Sequence, residues 1–471
     1  MDTREDATGR IAGGSSVLVL LGFMFLLATP LAADEAATGD GDALDLMSLY
    51  QLAADADPAI HRARARLDQA REATPQARAR LLPEVSLSAQ IQESWEDGTQ
   101  IGFDQATGEI DTLDFETELD STSYGVELRQ TLFQWDLFIG LDRARAEVAE
   151  AEANFEGELQ DLLIRVAEAY FNKLVASEVL ATRVATREAF EREKERAEYG
   201  REVGLAALTD VEEARAAHDR ALSDEIGAQR ELEIAREALF ELTGREIREL
   251  APLRAEIELL LPEPDDIEFW VERARELNPE LAAAEHVAEA SEAMVSQARS
   301  GHYPRLELTA SRRYQDIDSD NPFQVRDTVT DQIGVQLSMP LFRGGGTRSE
   351  VREARAGERE AWQAVKQANR EVRRATRDAF LGIRSGVARV RALEQAVKSA
   401  ETAVEATEIG VEVGTRSTLD LLNVRRELAD ARAEYAQVRF EFLADRLRLR
   451  RAVGELSTDY LERLNELFRD A

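Results

Sequence analysis

The chain has 471 residues, no cysteine, and 92 acidic against 58 basic side chains, which gives a formal net charge of -34. This charge excludes a typical nucleic-acid-binding protein, which needs a basic surface, and the missing cysteine excludes disulfides and thiolate metal sites. Alanine, glutamate and arginine dominate and there are only 11 prolines, a composition typical of long helices.

Residues 1–33 are predicted to be a secretory signal peptide. An apolar run from Val17 to Ala28 is followed by small residues that suit cleavage after Ala33. The alternative is a membrane anchor, but the run is short for a helix that spans hydrocarbon. Later segments are less apolar still, so a membrane-embedded mature chain would have to use a β-barrel.

The rest of the chain is an internal repeat. The stretch YGREVGLAALTDVEEARAAHDRA of the first half returns as IGVEVGTRSTLDLLNVRRELADA in the second. Upstream, Pro58 matches Pro279 and Pro83 matches Pro304. The chain therefore contains one structural unit twice. The predicted bounds of the two copies are 44–260 and 265–470.

Each unit is predicted to contain two short helices, a β-hairpin, a very long helix and a shorter helix. Alternating apolar residues predict strands of about ten residues, with an acidic, solvated loop over 96–120 in the first hairpin. Apolar positions in the long helix of the second half recur every three to four residues, as in a coiled-coil seam. The predicted bounds of hairpin, long helix and shorter helix are about 84–135, 136–200 and 208–243 in the first unit, and about 305–342, 347–412 and 418–453 in the second.

Four strands leave two open edges, which cannot lie in lipid with unsatisfied backbone groups. A barrel shared by several chains solves this problem, although the strands alone do not fix the number of chains. Aromatic residues near the strand ends suit a membrane interface, or equally a packed corner between strand and helix. They are Phe133, Trp135, Phe138 and Phe342.

The turns VGLAALTD and VGTRSTLD are the strongest local signal. Thr209 and Glu212 fit a capping box, and Asp210 and Asp420 would then lie in first helical turns, where the helix dipole favours carboxylates. This structural explanation competes with a functional one, in which the turns form the mouth of a tube. Symmetry would then arrange copies of Asp420 and Arg416 around an axis, and carboxylate rings favour cations.

Other chemistry has little support in the sequence. The RGGGTR segment from Arg343 to Arg348 lacks the Lys-Ser/Thr pair of a phosphate loop. The four histidines are scattered without metal-ligand spacing, and neither a nucleophile elbow nor a zincin motif is present. We therefore predict no enzyme activity, no catalytic residues, no metal and no cofactor; a secreted hydrolase is unsupported.

The segments LMSLYQLAADADPAI, RSGHYPRLELTAS and EVGTRSTLDLL, together with the paired hairpins, resemble the outer membrane factor family, the TolC-like efflux and secretion channels. The resemblance covers about residues 44–468. It implies a mainly α fold with a transmembrane β-barrel portion: a homotrimer with a 12-stranded barrel in the outer membrane of a Gram-negative cell and a 12-helix tunnel through the periplasm.

The same resemblance implies a passive, gated exit duct for tripartite multidrug efflux or type I protein secretion. Its partners would be a periplasmic adaptor protein, an inner-membrane ABC or proton-driven transporter, and outer-membrane lipid, with no nucleic acid. The alternative is a periplasmic coiled-coil scaffold without pore activity, which would share the helices but leave the paired strands unexplained.

Residue by residue, the resemblance places a periplasmic gate at Thr209, Asp210, Val411, Arg416, Asp420 and Asn423. This chain departs from the family at two of these positions: the family has a tyrosine in the place of Val411 and a second aspartate in the place of Asn423. It also places adaptor contacts at the helix tips: Gly204, Leu205, Gly414 and Thr415. Because only the second turn carries Arg416, we expect only the second helix pair to move at the gate.

Overall fold

The computed structural model describes residues 43–103, 108, 110–254, 257–319 and 325–468. The predicted signal peptide lies outside the described residues. From Ala43 onward the chain forms one compact unit. Among the described helices, none combines the length and the apolar character needed to cross a membrane.

The first half contains five described helices and two strands. Their bounds are α1 (Leu46–Ala56), α2 (Pro58–Arg71), α3 (Ala73–Ala79), β1 (Glu84–Phe103), β2 (Ile110–Gln134), α4 (Trp135–Glu202) and α5 (Leu208–Thr243).

The described part of the second half follows the same order, except that two rather than three short helices precede its strands, and it adds two short elements at its end. The bounds are α6 (Ile267–Leu277), α7 (Pro279–Ser300), β3 (Arg305–Ser319), β4 (Arg326–Ser338), α8 (Gly346–Glu412), α9 (Thr418–Val453), α10 (Thr458–Asn465) and a 3₁₀ turn (Glu466–Phe468). The sequence did not predict α10 or the 3₁₀ turn, and it predicted two short helices before the first hairpin, where the structure has three.

Both long helices run without a break. Helix α4 has 68 residues and α8 has 67, so at 1.5 Å per residue each is about 100 Å long. Because α4 starts directly after β2 and ends before Gly204, the sheet and the Gly204 turn lie at opposite ends of this helix.

The matched prolines begin helices in the same way in both halves. Asp57 caps α2 through its Oδ1, which accepts a hydrogen bond from the Ala59 N–H at 2.9 Å, with Pro58 in the first turn. Asn278 caps α7 by accepting from Glu280 and Leu281, with Pro279 next to it. Proline suits this position because the first helical N–H has no partner within the helix.

The strands are longer than predicted. They have 20, 25, 15 and 13 residues in β1 to β4, against a prediction of about ten. The acidic segment 96–120 was expected to be a loop, and this prediction is wrong for most of it, since Glu96 pairs with Thr117 and Ile101 with Thr112. Acidic residues are compatible with a strand when the ladder satisfies the backbone and both faces meet solvent.

The four described strands form one antiparallel sheet in the order β1-β2-β3-β4. The two hairpins join through β2 and β3, where Tyr124 stands opposite Tyr314 and a bulge interrupts the register between Thr131 and Phe133. Strands β1 and β4 are therefore the edges within one chain. Their outer backbone N–H and C=O groups form a template for a further strand.

The two faces of the sheet differ in polarity, because side chains alternate along each strand. One face carries exposed apolar side chains, including Leu87, Ile91 and Ile333, which are 78%, 86% and 77% exposed. The other face is polar and holds Arg129, whose guanidinium contacts Glu127 at 2.8 Å and Glu307 at 3.0 Å. An exposed apolar face of this extent indicates contact with lipid or protein.

The main core lies near the middle of α4. Tyr170 and Phe171 of α4 pack against Phe468 of the 3₁₀ turn, with ring centroids 5.1 and 5.8 Å apart, and Phe171 also packs against Phe440 of α9. Asn465 of α10 contacts the start of α1, since its Oδ1 accepts a hydrogen bond from the Leu46 N–H at 2.9 Å. The C-terminal segment is thus built into the junction between the halves.

Helices α5 and α9 end at equivalent glycines in different surroundings. Gly244 and Gly454 both have left-handed backbones, with φ of 65° and 85°. A Cβ at Gly244 would meet open space, whereas a Cβ at Gly454 would overlap the carbonyl of Leu277 at the α6–α7 corner.

We therefore expect Gly454→Ala to destabilise the protein far more than its matched control, Gly244→Ala. The control should cost about 1–2 kcal/mol for the left-handed backbone alone, and Gly454→Ala should add the cost of displacing the corner. Thermal unfolding followed by circular dichroism would measure both. Equal midpoints for the two variants would contradict this packing.

Candidate functional site

The two turns at the far ends of the long helices have the same backbone structure. Gly204 and Gly414 adopt left-handed backbones, with φ of 77° and 76°. In the first turn the Leu205 N–H donates to the Gly200 carbonyl at 2.7 Å, and in the second the Thr415 N–H donates to the Gly410 carbonyl at 2.8 Å. Glycine is favoured at these positions because a Cβ strains a left-handed backbone.

A second glycine in each turn lets the chain fold back closely. At Gly410, a Cβ would lie 2.7 Å from Cγ of Arg416, so the Arg416 side chain lies across the helix end. At Gly200, a Cβ would lie 3.2 Å from Cβ of Ala206. Gly200 and Gly410 were not among the predicted site residues, although the repeated spacing YGREVG and IGVEVG contains the signal.

The returning helices begin with an aspartate that folds back on the N-cap residue. Asp420 Oδ2 accepts from the Ser417 N–H at 3.0 Å, while the Ser417 Oγ accepts from the Asp420 N–H at 3.1 Å. Asp210 Oδ2 likewise accepts from the Ala207 N–H at 3.1 Å. Ala207 has no side-chain acceptor, so the α5 cap has only one of these two bonds.

The predicted capping box at Thr209 and Glu212 is therefore wrong. Helix α5 starts at Leu208 rather than after Thr209, and the N3 position is Asp210. Thr209 instead lies within the first turn, where its Oγ1 is 3.5 Å from Asp210 Oδ1. The true box, Ser417 with Asp420, is in the second half, where the sequence analysis did not place one.

Asp420 is held in its ionised form by its neighbours. Hydrogen bonds from Ser417 lower the pKa of Asp420, and the positive charge of Arg416 adds to this effect. A lowered pKa means that the cap is fully formed above the ordinary aspartate pKa and is lost only as the pH falls through the folded value. Asp420 is thus a carboxylate at neutral pH.

The structure brings some of the predicted gate residues together. Arg416 lies within electrostatic reach of Asp420, but among the described residues of a single chain no ion pair joins Arg416 to Asp210. Asn423 is one turn further along α9, where its Oδ1 accepts from Arg426 Nη2 at 2.6 Å. Val411 is partly buried in the last turn of α8.

The predicted adaptor-contact residues lie on the surface. Leu205 is 86% exposed in one chain, and Gly204, Gly414 and Thr415 are also exposed.

Three of the four predicted interface aromatics form a cluster where β2 meets α4. The ring centroids of Phe133 and Trp135 are 6.5 Å apart, and those of Trp135 and Phe138 are 6.2 Å apart. Each ring is about 40% exposed, whereas Phe342 is 88% exposed in the segment between β4 and α8. The four rings therefore do not form one cluster within a chain.

Within the ranges that the structure describes, the acidic and histidine side chains form no group able to hold a metal ion. The carboxylates at the turns are committed to helix capping instead. The described contacts at the turns are capping hydrogen bonds and close packing at the glycines.

Comparison with known proteins finds the same division into two halves. The model of the family described as "Outer membrane efflux protein" matches two stretches, residues 49–245 and 270–455. The two matches correspond to the two halves of the chain.

Relatives of known name match most of the chain. It is 34% identical to the outer membrane protein TolC of Vibrio cholerae serotype O1 over 88% of this chain and 91% of that protein. It is 31% identical to the alkaline protease secretion protein AprF of Pseudomonas aeruginosa over 90% and 87%. Among solved structures, the outer membrane protein VceC of Vibrio cholerae is similar with a TM-score of 0.71 and 22% identity, covering 87% of this chain and 96% of that one.

The unequal caps lead to a paired prediction. Ser417→Ala should loosen the start of α9 by about 1 kcal/mol, and Ala207→Ser should stabilise the start of α5 by a similar amount, because serine supplies the missing acceptor. Hydrogen exchange with mass spectrometry on peptides that span each turn would measure both. Unchanged exchange in both peptides would contradict the capping geometry.

Proposed function

The chain belongs to the outer membrane efflux protein family, and on this premise we propose that three copies form the exit channel of an efflux or type I secretion system. An outer-membrane location that extends into the periplasm follows from the same relatives. The family is one of channels and transport proteins. The relatives include both TolC and the secretion protein AprF, so the proposal covers both efflux and type I secretion.

One observation carries the proposal. A sheet with an apolar face and two open edges is followed, directly after β2 and after a short segment beyond β4, by helices about 100 Å long. The apolar face suits lipid, and the open edges require pairing before they can enter it. Closure by copies of the same chain satisfies the edges without any other protein.

We propose a homotrimer for this closure. Three copies of the sheet would give a 12-stranded barrel, an even number within the known range, with the polar face turned inwards. The helices α4, α5, α8 and α9 of three copies would continue it as a 12-helix tunnel. A coiled-coil scaffold without a pore would leave the apolar face and the long strands unexplained, and we do not retain it.

The gate in this proposal is the end of the tunnel at the Gly204 and Gly414 turns. Thr209, Asp210, Val411 and Asn423 lie near it together with Arg416 and Asp420, and we propose that Arg416 pairs with Asp210 of a neighbouring copy. An exposed ion pair contributes about 0–1 kcal/mol. A partner that binds the open tip better than the closed one can therefore shift this balance.

That partner, we propose, is a periplasmic adaptor protein that contacts Gly204, Leu205, Gly414 and Thr415, coupled to an inner-membrane transporter of the ABC or proton-driven type. The duct itself is passive. Outer-membrane fractionation with a heat-modifiable band on gels, followed by conductance in planar lipid bilayers, tests the proposal. A purified protein that conducts no ions would contradict it.

The role of Arg416 can be tested by removing its charge. Arg416→Ser should raise single-channel conductance in planar bilayers, because the proposed pair with Asp210 would no longer hold the tip closed. Arg432→Ser is a matched control, since Arg432 lies further along α9 and pairs with Glu401 rather than with a gate residue. If the Arg416 variant conducts like the unmodified protein, Arg416 does not hold the tip closed.

The charge of the constriction gives a second test. A trimer with Asp420 alone would place three carboxylates at the proposed ring, and Asn423→Asp would raise the number to six. Trivalent cations should therefore block the Asn423→Asp channel more tightly than the unmodified one. Equal block would show that residue 423 does not face the ion path.

A further inference from the structure

A row of exposed apolar side chains leads from β4 towards two arginines. Alternate residues along a strand share one face of the sheet, and the alternation on β4 continues in the sequence beyond the end of the strand at Ser338. The apolar row consists of these residues, all of them exposed: Ile333, Val335, Leu337, Met339 and Leu341. Arg343 and Arg348 follow directly after it, before and within the first turn of α8. The apolar row therefore ends at a pair of positive charges.

A pocket of about 200 Å³ lies at this point, where the segment that follows α7 meets the start of α8. Its lining includes both arginines together with Leu341 and Phe342, which are 91% and 88% exposed. None of the residues that line it is a carboxylate. The pocket thus combines apolar side chains with positive charge, which is the chemistry of an amphiphilic anion.

Arg343 is held beside the pocket by its neighbours. Its Nη1 atom donates to Thr347 Oγ1 at 3.2 Å, and its Nη2 atom lies 3.4 Å from Glu350 Oε1 in a pair whose side chains are both about half exposed. A Cβ at Gly301, directly after α7, would lie 3.7 Å from Arg343 Nη1, so the guanidinium is also close to the end of that helix. Because a guanidinium has five N–H donors, these contacts leave donors for a ligand.

Arg348 occupies a position that helix electrostatics disfavour. It lies in the first turn of α8, where the positive end of the helix dipole repels a cation. In the first half, the first turn of α4 carries Asp136 instead. Arg348 is exposed, and within the described ranges no carboxylate forms an ion pair with it. A residue that breaks a local rule without a compensating contact indicates a function, here the binding of an anion.

We propose that this pocket binds an anionic phospholipid at the periplasmic surface of the outer membrane, with its phosphate on Arg343 and Arg348 and its acyl chains along the apolar row. Arginine binds phosphate through paired N–H groups, and basic pockets at a membrane surface bind lipid head groups. The apolar row alone would accept any lipid, whereas the two arginines select a negative head group. This inference rests on the part of the proposed function that places the sheet in the outer membrane, but it needs no pore.

Native mass spectrometry of the purified protein in detergent tests the site by titration with phosphatidylglycerol or with phosphatidylcholine of the same acyl chains. The unmodified protein should bind the anionic phosphatidylglycerol more tightly than the zwitterionic lipid. Arg348→Gln should weaken phosphatidylglycerol binding about fivefold, and the double variant with Arg343→Gln about 25-fold, while phosphatidylcholine binding stays unchanged. The matched control, Arg355→Gln with Arg359→Gln, removes two exposed arginines about 10 and 16 Å further along α8 and should bind like the unmodified protein.

Inorganic phosphate separates a lipid site from a general anion site. At the same concentration as the lipid it should leave phosphatidylglycerol bound, because phosphate makes no contact with the apolar row. Displacement of the lipid would overturn the proposal, and so would equal affinities of the unmodified protein for the two lipids or an equal loss in the control variant.

Folding and channel function are measured separately on the same samples. Each variant is first checked for the heat-modifiable oligomer on gels, and if the double variant does not assemble, Arg348→Gln decides, because no described carboxylate pairs with Arg348. An unmodified protein that prefers phosphatidylglycerol but conducts no ions would support the lipid site and contradict the proposed channel. A conducting protein without this preference would overturn the lipid site alone.

Discussion

The reversal of two very long helices is the constraint on which the rest of the structure depends. A helix of 67 residues with an apolar seam, such as α8, gains most of its stability from another helix that covers the seam. The glycine turns at Gly204 and Gly414 reverse the chain, so that α5 packs against α4 and α9 packs against α8. The tight fit of Arg416 over Gly410 shows how closely the second helix begins beside the first.

At the opposite end of the long helices, the sheet is not covered by other described parts of the same chain. Its edges, β1 and β4, remain open and one face stays apolar. Helices α4 and α8 separate the sheet from the tip turns by about 100 Å. Near the tip, the side chain of Glu193 on α4 is buried, with Arg425 of α9 3.6 Å away.

Local patterns in the sequence were reliable where the physics is local. Proline, glycine and apolar periodicity placed the ends of α4, α5, α8 and α9 within two residues of the observed ones. They failed for the first hairpin, because polar strands are stabilised by a partner strand that local pattern does not reveal. They also failed at Thr209, which was predicted to cap α5. The cap depends on where the helix begins, and because α5 begins at Leu208, Asp210 takes the N3 position.

The sequence by itself determined that the chain is a duplicated, mainly helical unit with paired hairpins, because repeats, helix caps and alternation act over a few residues. It also identified the two turns as the candidate site. Only the tertiary structure decided that Glu193 is buried, that Arg425 bridges it to Glu408, and that Gly454 touches the Leu277 carbonyl. Such contacts join residues up to about 230 positions apart, and burial depends on how whole helices pack rather than on neighbours in the chain.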